Sequence, residues 1–100
     1  MRDVFRWNTG FNGDVSGWNT AAVTTMSGMF DGASAFNRDI SSWNTGNTTN
    51  IGYMFRGASA FNQNLSQWCL NKVTISTSYD LNATSWAPGN KPTPGLCPTP

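Results

Sequence analysis

Residues 11–35 read FNGDVSGWNTAAVTTMSGMFDGASA, and residues 36–60 read FNRDISSWNTGNTTNIGYMFRGASA. The two stretches agree at 14 of 25 positions, and a third copy opens at residue 61 with FNQNLSQW before drifting. Written in rows of 25, the chain forms columns: Phe11/Phe36/Phe61/Trp86, Trp18/Trp43/Trp68, Val15/Ile40/Leu65, Met29/Met54/Tyr79 and Phe30/Phe55. Met1 to Phe5 falls in register with Met26 to Phe30. The chain therefore divides into a partial row at 1–10, rows at 11–35, 36–60 and 61 to 85 or 86, and a tail at 87–100.

A row of this length cannot cover its own apolar face, so each must bury it on the next. The period predicts a repeat solenoid of four coils, with Trp18, Trp43, Trp68, Phe30, Phe36, Phe55 and Phe61 piled into a core ladder. The Asn12/Asn37/Asn62 and Asn19/Asn44 columns are placed to satisfy backbone groups between coils. Within a row, Asp39 to Trp43 reads as a short extended segment and Asn44 to Asn47 as a turn. Thr48 to Ile51, matching Val23 to Met26, is rich in β-formers and predicts the parallel strand. Met54, Phe55, Ala58 and Phe61 recur at helical spacing and predict a short α or 3-10 turn.

Composition closes off several functions. Charged residues are 11% and the net charge is +1, against the dense basic surface a nucleic-acid binder needs. Thirteen percent aromatic residues, with five Trp, argue against disorder. No apolar run reaches the roughly 20 residues of a membrane span. The N-terminus lacks the apolar region of a signal peptide, so a secreted protein is expected only as a processed or partial chain. There is no His and no Glu, and the cysteines are two, so neither a zinc site nor another cofactor site is expected.

The tail holds all five prolines, which remove N–H donors and should keep it extended. Cys69 stands in the Asn19/Asn44 column, and a Cys69–Cys97 bond would strap the tail over the last coil. The alternative is two free buried thiols.

The shared string runs through Trp18-Asn19-Thr20, Met29-Phe30, Ala33-Ser34-Ala35-Phe36-Asn37 and Asp39-Ile40-Ser41. It resembles the BspA-like leucine-rich-repeat surface proteins, in the branch first catalogued as mycoplasma lipoproteins of unknown function. The resemblance covers residues 1 to about 70. It implies a right-handed, leucine-rich-repeat-like solenoid displayed on cell surfaces, used in adhesion or surface-layer construction and without known catalysis. Ser76, Asp80 and Leu81 depart from the pattern.

No catalytic constellation is present in the sequence, and the protein is not expected to be an enzyme. Asp14 and Asp39 share a column and either pair around a cation or hold their own turns. The Trp column reads as core or as a sugar-stacking platform. Thr24, Thr49 and Thr74 form a column that reads as ordinary β surface or as an ice-binding face. Asn47, Asn64 and Asn82 head N-glycosylation sequons, and Thr93-Pro94 and Thr99-Pro100 suit O-glycans.

The chain starts inside the repeat, which predicts either a fragment of a longer protein or an uncovered first coil. The expected function is a non-catalytic extracellular or cell-surface structural protein, assembling head to tail with copies of itself. Phe5, Trp7 and Phe11 would meet Trp86, Pro92 and Leu96 of the next copy. The competing reading is a monomeric adhesin that binds a glycan or a host protein.

Overall fold

The computed structural model describes residues 1–98. Its repeating unit is a run of turns, which recurs at residues 2–7 (t1), 27–32 (t2), 52–57 (t3) and 77–82 (t4). Each run holds two residues in the left-handed region, at positions that are 25 apart from row to row. The first column is Asp3, Gly28, Tyr53 and Ser78, with φ of 57, 65, 58 and 50°. The second is Trp7, Gly32, Gly57 and Asn82, with φ of 61, 73, 72 and 62°. L-residues resist this conformation, Gly and Asn least.

Between those two positions the N–H groups alternate in direction. In t2, Asp31 donates to Gly28 O (3.1 Å) within its own row, and just beyond the run Ala33 donates to Phe30 O (3.0 Å). Gly28, Phe30 and Gly32 donate instead to Gly52, Met54 and Arg56 O of the next row, at 2.9, 2.8 and 2.6 Å. Asp3, Phe5 and Trp7 reach Ser27, Met29 and Asp31 O in the same way, and Tyr53, Phe55 and Gly57 reach Thr77, Tyr79 and Leu81 O.

This corrects the expected architecture. The right-handed, leucine-rich-repeat-like solenoid with parallel strands and α or 3-10 turns does not form. Among the described residues there is no strand and no α-helix, and the one helical segment is the 3-10 turn Pro88–Asn90 in the tail. The predicted strand contracts to isolated parallel bridges, Thr25 to Asn50 and Asn50 to Ile75. Turns at 21–22 and 46–47 precede those positions and the runs t2 and t3 follow at once, leaving no room for a ladder. The helical spacing at Met54, Phe55 and Ala58 fails because left-handed residues bracket it and every second N–H leaves the row. The body is compact, 33 × 26 × 24 Å.

The core is a stack of rings. Phe5, Phe30 and Phe55 follow one another at 5.7 and 5.5 Å between centroids, and Phe11, Phe36 and Phe61 at 5.7 and 5.6 Å. The two columns interleave, with Phe5 on Phe11 at 3.8 Å and Phe30 on Phe36 at 4.0 Å. Met26, Met29, Ile40, Ile51, Met54, Leu65 and Leu70 fill the space around them. Trp43 and Trp68 stack at 6.4 Å, and their indole N–H groups donate to Val15 O and Ile40 O at 3.0 and 3.1 Å. Trp18 does not belong to this buried ladder: it is 40% exposed, its ring resting 5.6 Å from Phe5.

Polar columns complete the packing. The side-chain oxygens of Asn12, Asn37 and Asn62 accept from the backbone N–H of Asn37, Asn62 and Ala87, each one row on. The buried hydroxyls of Thr20, Thr45 and Thr48 donate to carbonyls of adjacent rows. No buried side-chain nitrogen or oxygen among the described residues lacks a partner.

The tail covers the row at 61–85. Leu65 N donates to Asn90 O (2.8 Å) and Leu70 N to Leu96 O (2.9 Å), while Gly95 N returns to Leu70 O (2.9 Å). A disulfide joins Cys69 to Cys97. Trp86 enters the Phe column edge-on, 4.8 Å from Phe55 and 5.0 Å from Phe61, and closes the stack. Tyr79 lies under the tail with its hydroxyl donating to Pro92 O; burial first, and Asp80 second, push that hydroxyl up to about 12.

Candidate functional site

The first row presents an open edge. Val4 is 45% and Trp7 61% exposed, Phe5 and Phe11 are half-buried, and Trp18 lies beside them. The exposed Trp7 ring lies against Gly32, where a Cβ would collide with it. Val4 stands in the column of Met29 and Met54, whose carbonyls each accept an N–H from the preceding row. Arg2 and Arg6 stand in the equivalent columns of Ser27/Gly52 and Asp31/Arg56. Among the described residues no donor reaches the carbonyls of Arg2, Val4 or Arg6.

Beside this edge runs a column of alternating charge. Asp31 is buried, and Arg56 of the next row grips it with both ends of its guanidinium, at 3.0 and 2.8 Å. Arg6 of the preceding row approaches the same carboxylate at 3.6 Å. Arg56 also lies over the Tyr53 ring, 4.5 Å from its centroid. Paired forks of this kind are among the stronger polar contacts and here lock adjacent rows together. These groups and Arg2, Asp3, Ser27 and Gly28 line a hollow of about 340 Å³.

Asp14 and Asp39 line a second hollow of about 370 Å³ with Ser16, Arg38 and Ser42. Each carboxylate accepts the N–H of the serine two residues on, at 2.9 Å. Hydrogen bonds from that serine hold both carboxyls below the usual range. Among the described residues no group of three or more His, Cys, Asp or Glu is placed to hold a metal ion.

The model of a protein family described as "Mycoplasma protein of unknown function, DUF285" matches residues 1–88. The chain belongs to this family. No curated protein and no solved structure matches it. Among the described residues of this DUF285 chain, no helix is long and apolar enough to cross a membrane.

The DUF285 fold brings Phe5, Trp7 and Phe11 together at the first-row edge but disperses the surface expected to meet them. Trp86 is 3% exposed because it closes the ring stack, and Pro92 is buried with its carbonyl under the Tyr79 hydroxyl. Neither is available to a partner, which leaves Leu96, 61% exposed, from that set. The Trp column offers no continuous sugar platform, since Trp43 and Trp68 are buried. Thr24, Thr49 and Thr74 are exposed, and the Thr49 hydroxyl donates sideways to Thr24 O of the preceding row at 3.1 Å.

The sequons Asn47, Asn64 and Asn82 all lie at the surface. The Asn47 side chain bridges Ala21 O and Lys72 Nζ, and Asn64 holds the turn at Ser66. Of the two Thr-Pro steps, Thr93 is exposed and Thr99-Pro100 lies outside the described residues. The Arg6/Asp31/Arg56 column was not singled out by the sequence reading. Its signal was there: opposite charges spaced 25 residues apart.

Proposed function

We propose that this chain is a non-catalytic structural protein of the cell exterior, a subunit of a surface assembly. The observation that carries the reading is the first-row edge, where Val4, Trp7 and Trp18 are exposed beside three carbonyls set in the columns that bind row to row elsewhere. Exposed apolar side chains next to unpaired backbone groups make a surface ready to be covered by another protein. The disulfide supports an oxidising compartment. A low-charge surface, together with the resemblance to the BspA-like surface branch, supports display outside the cell.

Sedimentation of the purified chain from micromolar to millimolar concentration tests this. Species heavier than 10.9 kDa should grow with concentration and be lost in Trp7→Asp. A 10.9 kDa particle throughout would overturn assembly and leave the monomeric binding module.

A further inference from the structure

The two ends of the molecule carry matching halves of one hydrogen-bond pattern. Each internal step from t1 to t2, t2 to t3 and t3 to t4 sends three alternate N–H groups onto three alternate carbonyls of the next run. In t4 the corresponding donors are the N–H groups of Ser78, Asp80 and Asn82, and among the described residues none of them finds an acceptor. In t1 the corresponding acceptors are Arg2, Val4 and Arg6 O, and among the described residues none finds a donor. We propose that two copies of this chain join end to end, with t4 of one copy against t1 of the next and these three donors on these three acceptors.

The backbone supports the match. Ser78 and Asn82 keep φ of 50 and 62°, close to the 57 and 61° of Asp3 and Trp7, so both edges have the shape of the internal ones. That shape selects the partner. An ordinary strand edge presents a straight row of donors and acceptors, whereas this one alternates between left-handed residues, and its complement is present on the same chain.

The exposed apolar groups fall in place as well. Leu81 is 49% exposed at the t4 end, and Val4 and Trp7 are exposed at the t1 end. Continuing the internal register sets Val4 of the second copy next to Tyr79 and Arg6 next to Leu81. Trp43 and Trp68 reach back 28 residues to a carbonyl, and the same reach places Trp18 of the second copy over Asn90 of the first. The ring stack takes no part, because Trp86 closes it and Asp80, paired with Lys91 at 3.0 Å, stands in the Phe column. The contact is heterologous and leaves the same edge open on the second copy, so it propagates into a filament.

The inference rests on the assembly reading, and one experiment separates the two. Arg6→Cys and Leu81→Cys chains, each otherwise intact, are mixed and oxidised, and the linked peptides are identified by mass spectrometry. A covalent pair linking positions 6 and 81 is expected, with none when Arg2→Cys, four positions out of register, replaces Arg6→Cys. In the unmodified chain, hydrogen exchange at the Ser78, Asp80 and Asn82 amides should slow as concentration rises. Heavier particles without the 6–81 link and without slowed amides would overturn this register while leaving assembly standing. A monomer at every concentration would overturn both.

Discussion

Trp43 and Trp68 each join two rows through a single atom. Their indole N–H groups meet Val15 O and Ile40 O, carbonyls that also accept the N–H of Trp18 and Trp43 from their own turns. Each ring thus secures a turn in the row before it while filling the core. Replacing either by Phe removes one hydrogen bond, about 0.5–1.5 kcal/mol, and part of the buried ring. Trp43→Phe and Trp68→Phe should each destabilise by about 1–2 kcal/mol in urea denaturation. Trp18→Phe should stay within about 0.5 kcal/mol of the parent, as surface changes do. An equal loss at Trp18 would mean that its ring is covered in solution. Nothing in the sequence separates Trp18 from its two column mates, because the difference lies in what stands on its outer side rather than in its own row.

At the scale of elements, the short turns at 16–17, 41–42 and 66–67 share one device: the side-chain oxygen of Asp14, Asp39 or Asn64 receives the N–H of Ser16, Ser41 or Ser66. The serine hydrogen bonds lower the Asp14 and Asp39 pKa from the ordinary 3.8. A carboxyl depressed in the folded state stabilises above its unfolded value and loses that contribution as pH falls through the folded one. Melting temperature should therefore drop on acidification below about pH 4. The Asp14→Asn, Asp39→Asn double variant should match the parent at neutral pH, since Asn64 already does the same work, and melt with a flatter acid limb. A double variant as acid-sensitive as the parent would place the titration elsewhere.

The period, the Phe columns and the Asn12/Asn37/Asn62 ladder were all legible as spacing. The turn run was not. Its left-handed positions hold Gly at 28, 32 and 57, but Asp3, Tyr53, Ser78, Trp7 and Asn82 fill the others, so glycine recurs in one column only, at Gly32 and Gly57. Met54, Phe55 and Ala58 then mimic the spacing of a helix. The fold class was misread for that reason, and the Arg6/Asp31/Arg56 column passed unnoticed beside the larger rings.

At the scale of the molecule, the C-terminal tail takes the place of one more row, but with little of a row's chemistry. It gives the row at 61–85 two carbonyls, Asn90 O for Leu65 and Leu96 O for Leu70, and adds the N–H groups of Ala87 and Gly95, the Pro92 carbonyl under the Tyr79 hydroxyl, the Lys91–Asp80 pair and the disulfide. Cys69 and Cys97 are 28 residues apart, so in the chain-entropy model their bond is worth about 3.5 kcal/mol. Small domains have about 5–15 kcal/mol in total, which makes this strap a large share of the margin. The Cys69→Ser, Cys97→Ser double variant should melt on the order of 14–28 °C lower by calorimetry. The loss should also be local. Exchange should quicken first at the Leu65 and Leu70 amides, whose partners lie in the tail, while Phe30 and Gly32, bonded to Met54 and Arg56 in the row at 36–60, hold longest. If all four amides quickened together, the tail would be an inseparable part of one cooperative unit rather than a cover laid on it.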